Sequence, residues 1–571
     1  MKQTVKTYYY ALCLLVAALL AGGNATAFAQ KATSRVDKNL TIYNDVLRQL
    51  DISYADTLNY DDLVATSIHQ MLRKIDPYTI YIPEDKTSDL RLMTTGKYGG
   101  IGALIMQRQD SMPPAVKRLK PKGAADRYVM ISEPYEGMPA QKNDVRAGDI
   151  LIEVDGKNVV GKTTSETSAI LRGTPHSVVT LKVLRQHNEK PLTISFEREE
   201  IKLPPVEYYT VLKHSDSKPL SKPVGYLLFS EFTENSADLF RQAVDNMVAS
   251  DSITALVIDL RNNGGGIIDE AVKIMSFFVP KGTEIVSTKG RNKNANRTYR
   301  TTTQPRYPEM QLAVLVNHSS ASASEIVAGS LQDLDRALII GSRTYGKGLV
   351  QSIRPVAYNG HLKVTTSKYY IPSGRCIQAI DYSKRRQDGS VERVPDSLTH
   401  EFKTLKGRIV RDGGGIEPDI NMDDSSKVDI TYSLYVNQHF FDYATLYRNT
   451  HPSIAPVDSF VVSDDDIRSF VEFLKERNFT YETETSKYFK DMLEMAHHED
   501  IDSLTLSELE SFKLRLTPSF EEAVRQHDTE VRQMLGHEIV QRYYFQRGAI
   551  AYSLRSDKQL NKAIEQLTTN K

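Results

Sequence analysis

The chain has 571 residues, enough for about three or four domains at roughly 100–200 residues each. Apolar residues at 40% and charged residues at 25%, with 31 Gly and 23 Pro, exclude a disordered, collagen-like or coiled-coil chain. Lys+Arg and Asp+Glu are 72 each, so no net field favours nucleic acid or anionic lipid.

The chain opens on Lys2 and Lys6, then an apolar run from Ala11 to Ala21, then Ala27-Phe28-Ala29. That run is shorter than the about 20 residues a bilayer span needs. With its basic start and small-x-small site it reads as an export signal over residues 1–29, cleaved after Ala29. Leu12 before Cys13 argues against a lipid anchor. Only Cys376 then remains, so no internal disulfide is expected, and it reads as a small buried residue. No H-E-x-x-H motif occurs: His537-Glu538 runs on into Ile539-Val540-Gln541. No metal or cofactor is expected.

Residues 30–95 read as helical, with Ile42, Val46, Leu50, Leu63, Ile68 and Leu72 at three-to-four spacing and a break at Asp76-Pro77. From Gly99 short β runs alternate with glycine turns. Tyr98-Gly99-Gly100-Ile101-Gly102-Ala103 is followed by Val145–Gly156, a helix over Ser165–Leu171 and a strand over Val178–Leu184. This order, with its A-G-D-I-L-I-E-V-D-G hairpin, resembles a PDZ domain over residues 96–200. The resemblance implies that Ile101, Gly102 and Ala103 hold a peptide's terminal carboxylate by strand addition, with the helix walling the groove.

Residues 201–425 alternate strands and helices: Val224–Phe232, Asn235–Ala249, the apolar run Thr254–Leu260, a helix over Glu270–Val279, Leu312–Val316, a helix from Ala323, and Ala337–Ile340. Unbroken apolar strands indicate an α/β core covered on both faces. Residues 426–571 are helical and highly charged. Their stripes, such as Ile467, Phe470, Val471 and Leu474, read as packing surface.

Three loops at the ends of the apolar strands fall where open α/β sheets place ligands. They are Asp259–Gly266, Ser319–Glu325 and Gly341–Gly348, the last running on to Gln351. Ser322-x-x-Glu325 fits a helix capping box. The same turn would also present a hydroxyl beside unpaired helix N–H groups able to hold an oxyanion. A serine nucleophile needs a base. His318 adjoins it, but neighbours in sequence need not face each other. Lys347, glycine-flanked after a buried strand, would act as base if burial lowered its pKa. From the residues alone the capping and nucleophile readings both stand.

The strings Leu256–Gly265, Ser320–Glu325 and Thr344–Gln351, in that order after a PDZ-like segment, resemble those of the carboxyl-terminal processing (tail-specific) serine peptidases. Asp76-Pro77-Tyr78, Tyr369–Arg375 and Gly414–Asp419 match further, so the resemblance covers about residues 40–425. It implies a ClpP/crotonase-like α/β core and a Ser–Lys dyad of Ser322 and Lys347. Gln351 would orient the lysine, and the N–H groups of Ala323 and Gly266, or Gly265, would form the oxyanion hole. The expectation is a multidomain α/β serine endopeptidase with a helical N-terminal region, a PDZ-like β module and a helical C-terminal extension. It would be exported to a periplasm or envelope, acting on proteins recognised through apolar or unstructured C-termini. The amphipathic helices at both ends suit a homodimer or an adaptor-bound form. A non-catalytic scaffold and an acyl-CoA enzyme are the alternatives; the intact serine–lysine–glutamine set argues against the first, and shared fold alone supports the second.

Overall fold

The apolar run around residue 257 becomes the strand Ala255–Asp259, buried at every position. It pairs in parallel with Lys218–Phe229 on one side and Gln311–Val316 on the other. Leu338–Gly341 and Ile420–Asn421 extend the sheet beyond Gln311–Val316, and Val206–Ser215 closes the opposite edge antiparallel. These strands belong to a computed structural model described over residues 35–84, 95–109, 112–186, 190–215, 218–386, 390–422, 429–499, 501–516 and 518–569. The expected export signal over residues 1–29 lies outside the described residues.

Strand alternation sends Leu227, Phe229, Leu256, Ile258, Leu312 and Val314 to one face. There they pack on the helices Ser236–Asp251, Ile268–Met275 and Ala323–Asp333. Val224, Tyr226, Ala255, Val257, Ala313 and Leu315 point the other way. Their cover comes from the far end of the chain: the helix Lys558–Thr569 lays Leu560, Ala563, Ile564 and Leu567 on them. Part of the segment read as an extension over 426–571 is therefore the second outer layer of the α/β core. An ion-pair chain fixes the junction, with Arg261 Nη2 donating to Asp259 Oδ2 at 2.5 Å and to Asp557 Oδ2 at 2.6 Å.

A second sheet joins Leu349–Pro355, His361–Tyr370, Glu284–Gly290 and Arg297–Arg300, with Ile80–Ile82 at its edge. The helical expectation for residues 30–95 is corrected here. After Asp76-Pro77 the chain turns and pairs Ile80 with Lys363 in an antiparallel strand. The β-branched Thr79 and Ile80 favour this, and the partner strand supplies the hydrogen bonds.

The β module carries strands Ala103–Arg108, Tyr128–Pro134, Ile150–Val154, Val178–Leu184 and Leu192–Glu197 in that spatial order. Its helix Thr164–Leu171 starts on a capping box between Thr163 and Glu166. The C-terminal helices pack on the module's other side. Phe441 enters a cluster with Val116, Tyr128, Met130, Ile150 and Ile152, and Arg108 donates twice to Asp442 (3.0 and 3.3 Å). Both partners are buried, and Arg477 adds a second guanidinium to Asp442. Breaking a buried ion pair by removing one partner typically costs about 3–5 kcal/mol.

The chain up to Lys74 forms a unit separate from the rest. It holds a helix over residues 35–53 and the helix Tyr60–Arg73, linked by Tyr43 Oη to Ser67 Oγ at 2.6 Å and by Tyr60 Oη donating to Asp51 Oδ1 at 2.8 Å. Val36, Leu40, Val46 and Ile52 are exposed. Among the described residues no helix is long and apolar enough to cross a membrane.

The covering role of the last helix is testable. Ile564→Ala is expected to cost about 2–5 kcal/mol as a large-to-small core change. The unfolding midpoint in denaturant, followed by circular dichroism, should fall accordingly. An unchanged midpoint would mean that the helix does not seal the sheet.

Candidate active site

The turn into the helix Ala323–Asp333 places Ser322 at φ 57°, ψ −113°, a conformation that a non-glycine residue adopts only under constraint. Several contacts impose it. Ser322 N–H donates to Glu325 Oε2 at 2.8 Å, and Tyr369 Oη donates to the Ser322 carbonyl at 3.2 Å. The neighbouring serines have other tasks: Ser320 Oγ donates to the Leu260 carbonyl (2.7 Å) and Ser324 Oγ to that of Asn263 (2.9 Å). They tie the glycine loop against the Ser322 turn, and His318 is exposed outside the cavity.

Asn263, fully buried, sets the shape of that glycine loop. Its amide donates to the Phe229 carbonyl at 2.6 Å, and its Oδ1 accepts Gly265 N–H at 2.9 Å. The Gly265 N–H is thus engaged, while those of Gly266 and Ala323 donate to no protein group among the described residues. Gly265 matters by its size and backbone instead. At φ +99° a Cβ there would stand 2.6 Å from the Ala321 carbonyl oxygen and 2.7 Å from Ser322 Cβ.

Glu325 draws the pieces together. It is wholly buried and accepts four hydrogen bonds: Ser322 N–H and Lys347 N–H on Oε2, Thr344 Oγ1 and Gly346 N–H on Oε1, all between 2.6 and 2.9 Å. Burial raises its pKa and the four donors oppose that shift. Its place in the first turn of a helix also favours the carboxylate. One anion therefore pins the backbone of the serine turn and that of the lysine loop.

Ser322, Lys347 and Gln351 line one cavity of about 1010 Å³, together with Gly264, Gly265, Gly266, Tyr369 and Lys363. Burial lowers the pKa of the Lys347 amine to about 8, with Lys363 adding like-charge repulsion and Glu325 and Asp76 opposing. The amine lies 4.6 Å from the centroid of the Tyr78 ring. Gln351 is not bonded to it: its Nε2 donates to Thr365 Oγ1 at 3.3 Å. Behind the site, Arg375 and Asp333 form a buried ion pair of 2.8 Å at the end of the Ser322 helix. No three His, Cys, Asp or Glu side chains among the described residues gather where they could hold a metal ion.

The far wall of the cavity belongs to the β module, through Leu104, Tyr135, Glu136 and Met138. In its glycine loop the Ile101 carbonyl accepts Ala140 N–H (2.8 Å) and the Gly102 carbonyl accepts Tyr135 N–H (3.0 Å). The N–H groups of Ile101 and Gly102 donate to no described protein group. Gly102, at φ +70°, has no room for a Cβ against Met138. Ala103 begins the strand beside the helix Thr164–Leu171.

Residues 223–383 match the family described as Peptidase family S41, residues 130–185 a PDZ domain, and residues 430–567 a "Probable PDZ-protease, C-terminal helical domain". A "Carboxy-terminal-processing protease" of Bartonella bacilliformis is 33% identical over 372 residues, 64% of this chain and 79% of that one. A "Probable CtpA-like serine protease" of Staphylococcus aureus is 32% identical over 341 residues, 59% of this chain and 62% of that one. The solved photosystem II D1 C-terminal processing protease is 25% identical, covering 66% of this chain and 86% of that one, at a TM-score of 0.36. The chain is a serine-type peptidase with a PDZ domain and a C-terminal helical domain. It belongs to the carboxy-terminal-processing proteases of family S41, and its substrates are proteins.

Sequence reasoning passed over Glu325 except as a capping residue, and gave Asn263 and Tyr369 no individual role. Their motifs were visible, but the partners that join separate segments lie 19 to 61 residues away. Glu325→Gln would turn an amide N–H₂ toward N–H donors, at about 1–3 kcal/mol for each group left unsatisfied. A fall in kcat/KM of at least about tenfold on a protein substrate is expected. Activity equal to wild type would show that the two loops hold their geometry without the anion.

Proposed function

We propose that this peptidase is exported and works through a Ser322–Lys347 dyad on proteins recognised through apolar or unstructured C-termini. The observation that carries the reading is one cavity holding a constrained serine and a half-buried lysine, and desolvation there pushes the amine's pKa down to about 8. The neutral amine of Lys347 takes the Ser322 hydroxyl proton as Oγ attacks the scissile carbonyl. The oxyanion that forms is received by the N–H groups of Ala323 and Gly266, which donate to no protein group among the described residues and stand at the start of a helix and the end of the glycine loop. Gly265 supports them by close approach and not by its own N–H. Lys347 returns the proton to the leaving amine, and water then hydrolyses the acyl-enzyme by the same route in reverse. Gln351 lines the same cavity, and the reading gives it the role of orienting the lysine.

The free N–H groups of Ile101 and Gly102, with Ala103 opening the adjacent strand, suit capture of a terminal carboxylate. The apolar residues Ala103, Ile105 and Ile170 beside the module's core favour an apolar last residue. The basic start, apolar run and Ala27-Phe28-Ala29 site support export to a periplasm or envelope.

The test is cleavage of an unfolded reporter ending in an apolar residue. Ser322→Ala and Lys347→Ala should each lower kcat/KM by about a thousandfold or more. Because the base must be neutral and its pKa is depressed to about 8, kcat/KM should rise with pH and reach half its plateau near there. A rise centred where an exposed lysine titrates, at about 10.4, would contradict a desolvated base. Retained cleavage by Ser322→Ala would remove the nucleophile assignment.

A further inference from the structure

The Asp76-Pro77-Tyr78 motif plays no part in the chemistry above, yet the fold brings it to Lys347. Asp76 is 4% exposed, and its carboxylate accepts Tyr78 N–H (2.8 Å), Thr79 N–H (2.7 Å) and the Thr79 hydroxyl (3.1 Å). Immediately afterwards Ile80–Ile82 is anchored as an edge strand on residues 361–363. Tyr78 is therefore held from both sides. Its hydroxyl donates to Tyr345 Oη and accepts from Tyr382 Oη, each at 3.3 Å, and the Tyr382 ring packs edge-on at 5.9 Å. The Lys347 amine lies over a face of this ring, 4.6 Å from its centroid, and among the described residues no hydrogen bond joins it to Ser322.

We infer that Tyr78 is a positioning residue for Lys347: its ring face seats the protonated amine, which leaves that seat when neutral to reach the Ser322 hydroxyl. This rests on Lys347 being the base. The physical reason is that a ring quadrupole attracts an ammonium but has little hold on a neutral amine. The seat thus favours one protonation state. The other groups acting on the amine are Lys363, which repels the ammonium, and the carboxylates of Glu325 and Asp76, which attract it. Tyr345 and Tyr382 reach the ring edge through their hydroxyls and add no charge when protonated. The ring face therefore pulls toward protonation, against burial and Lys363. Weakening that face without opening the site should make the amine easier to deprotonate, and the acid limb of the activity profile should move to lower pH.

The experiment is kcat/KM against pH for the full chain on the unfolded reporter. It compares wild type, Tyr78→Phe, Tyr78→Leu, a series of progressively fluorinated phenylalanines at position 78, and Lys347→Ala. Tyr78→Phe keeps the ring and should keep the limb. Tyr78→Leu should move it down by roughly half a pH unit or more. The fluorinated rings keep the shape while draining the π face, so the limb should fall stepwise with fluorine number. A fluorinated series whose limbs coincide with that of Tyr78→Phe would overturn the inference. That series also decides the question if the leucine variant does not fold. Wild-type cleavage by Lys347→Ala would instead bring down the base assignment. An inactive Lys347→Ala with a flat fluorinated series would leave that assignment standing and remove only the role of Tyr78.

Discussion

A single buried carboxylate organises this molecule's candidate active site. Glu325 accepts hydrogen bonds from the serine turn, from the lysine loop and from Thr344, whose hydroxyl oxygen in turn accepts Ile416 N–H at 2.7 Å. Burying an anion is costly unless its lone pairs are filled, and here four donors fill them. The arrangement makes the position of one loop conditional on the other. It also explains why motifs far apart in sequence, around residues 322, 344 and 416, meet at one point. The same carboxylate is one of the charges that set the titration of Lys347.

Around that point the chain builds the site from loops on a stiff support. The strands beneath are buried on both faces, and the loops leave their carboxyl ends, as open α/β sheets direct. Ser320, Ser324 and Asn263 spend their polar groups binding one loop to the next. Ser322 is left in a constrained backbone state with its hydroxyl toward the cavity lining. Arg375 and Asp333 close the far end of the Ser322 helix with a buried pair, so both ends of that helix are fixed.

The C-terminal helices bind two parts of the protein at once. Asp442 holds Arg108 of the β module, and Phe441 joins its apolar cluster. Further along, Gln546 donates to Glu207 at 3.0 Å, Arg547 stacks over Tyr208, and both residues line the cavity that holds Ser322 and Lys347. The last helix then seals the peptidase sheet. The backbone between these attachments is constrained at Phe545, whose φ of 52° and ψ of −164° break the helix Asp528–Leu554. The β-module wall of the cavity, through Leu104 and Met138, is thus supported by the same segment that completes the core.

The strands of the core were legible in the sequence because their apolar runs are continuous and local. Thr254–Leu260 and Leu312–Val316 differ from the observed strands by a residue or so at each end. The helix beginning at Ala323 and the β module's Val178–Leu184 strand were likewise set by pattern and turn chemistry. The family, too, was readable, since its strings are short and contiguous. The edge strand Ile80–Ile82 was not, because three residues carry no period and only the register against residues 361–363 makes them a strand. Nor was the source of the sheet's second layer, because a stripe such as Leu560, Ala563, Ile564 and Leu567 announces a buried face without naming what buries it. Sequence determined which residues were apolar, constrained or chemically able. Tertiary structure alone decided that Glu325 would hold two loops, that Gly265 would serve by its lack of a side chain, and that Tyr78 would lie beneath Lys347. Those outcomes depend on distances between segments tens to hundreds of residues apart, which local propensity cannot encode.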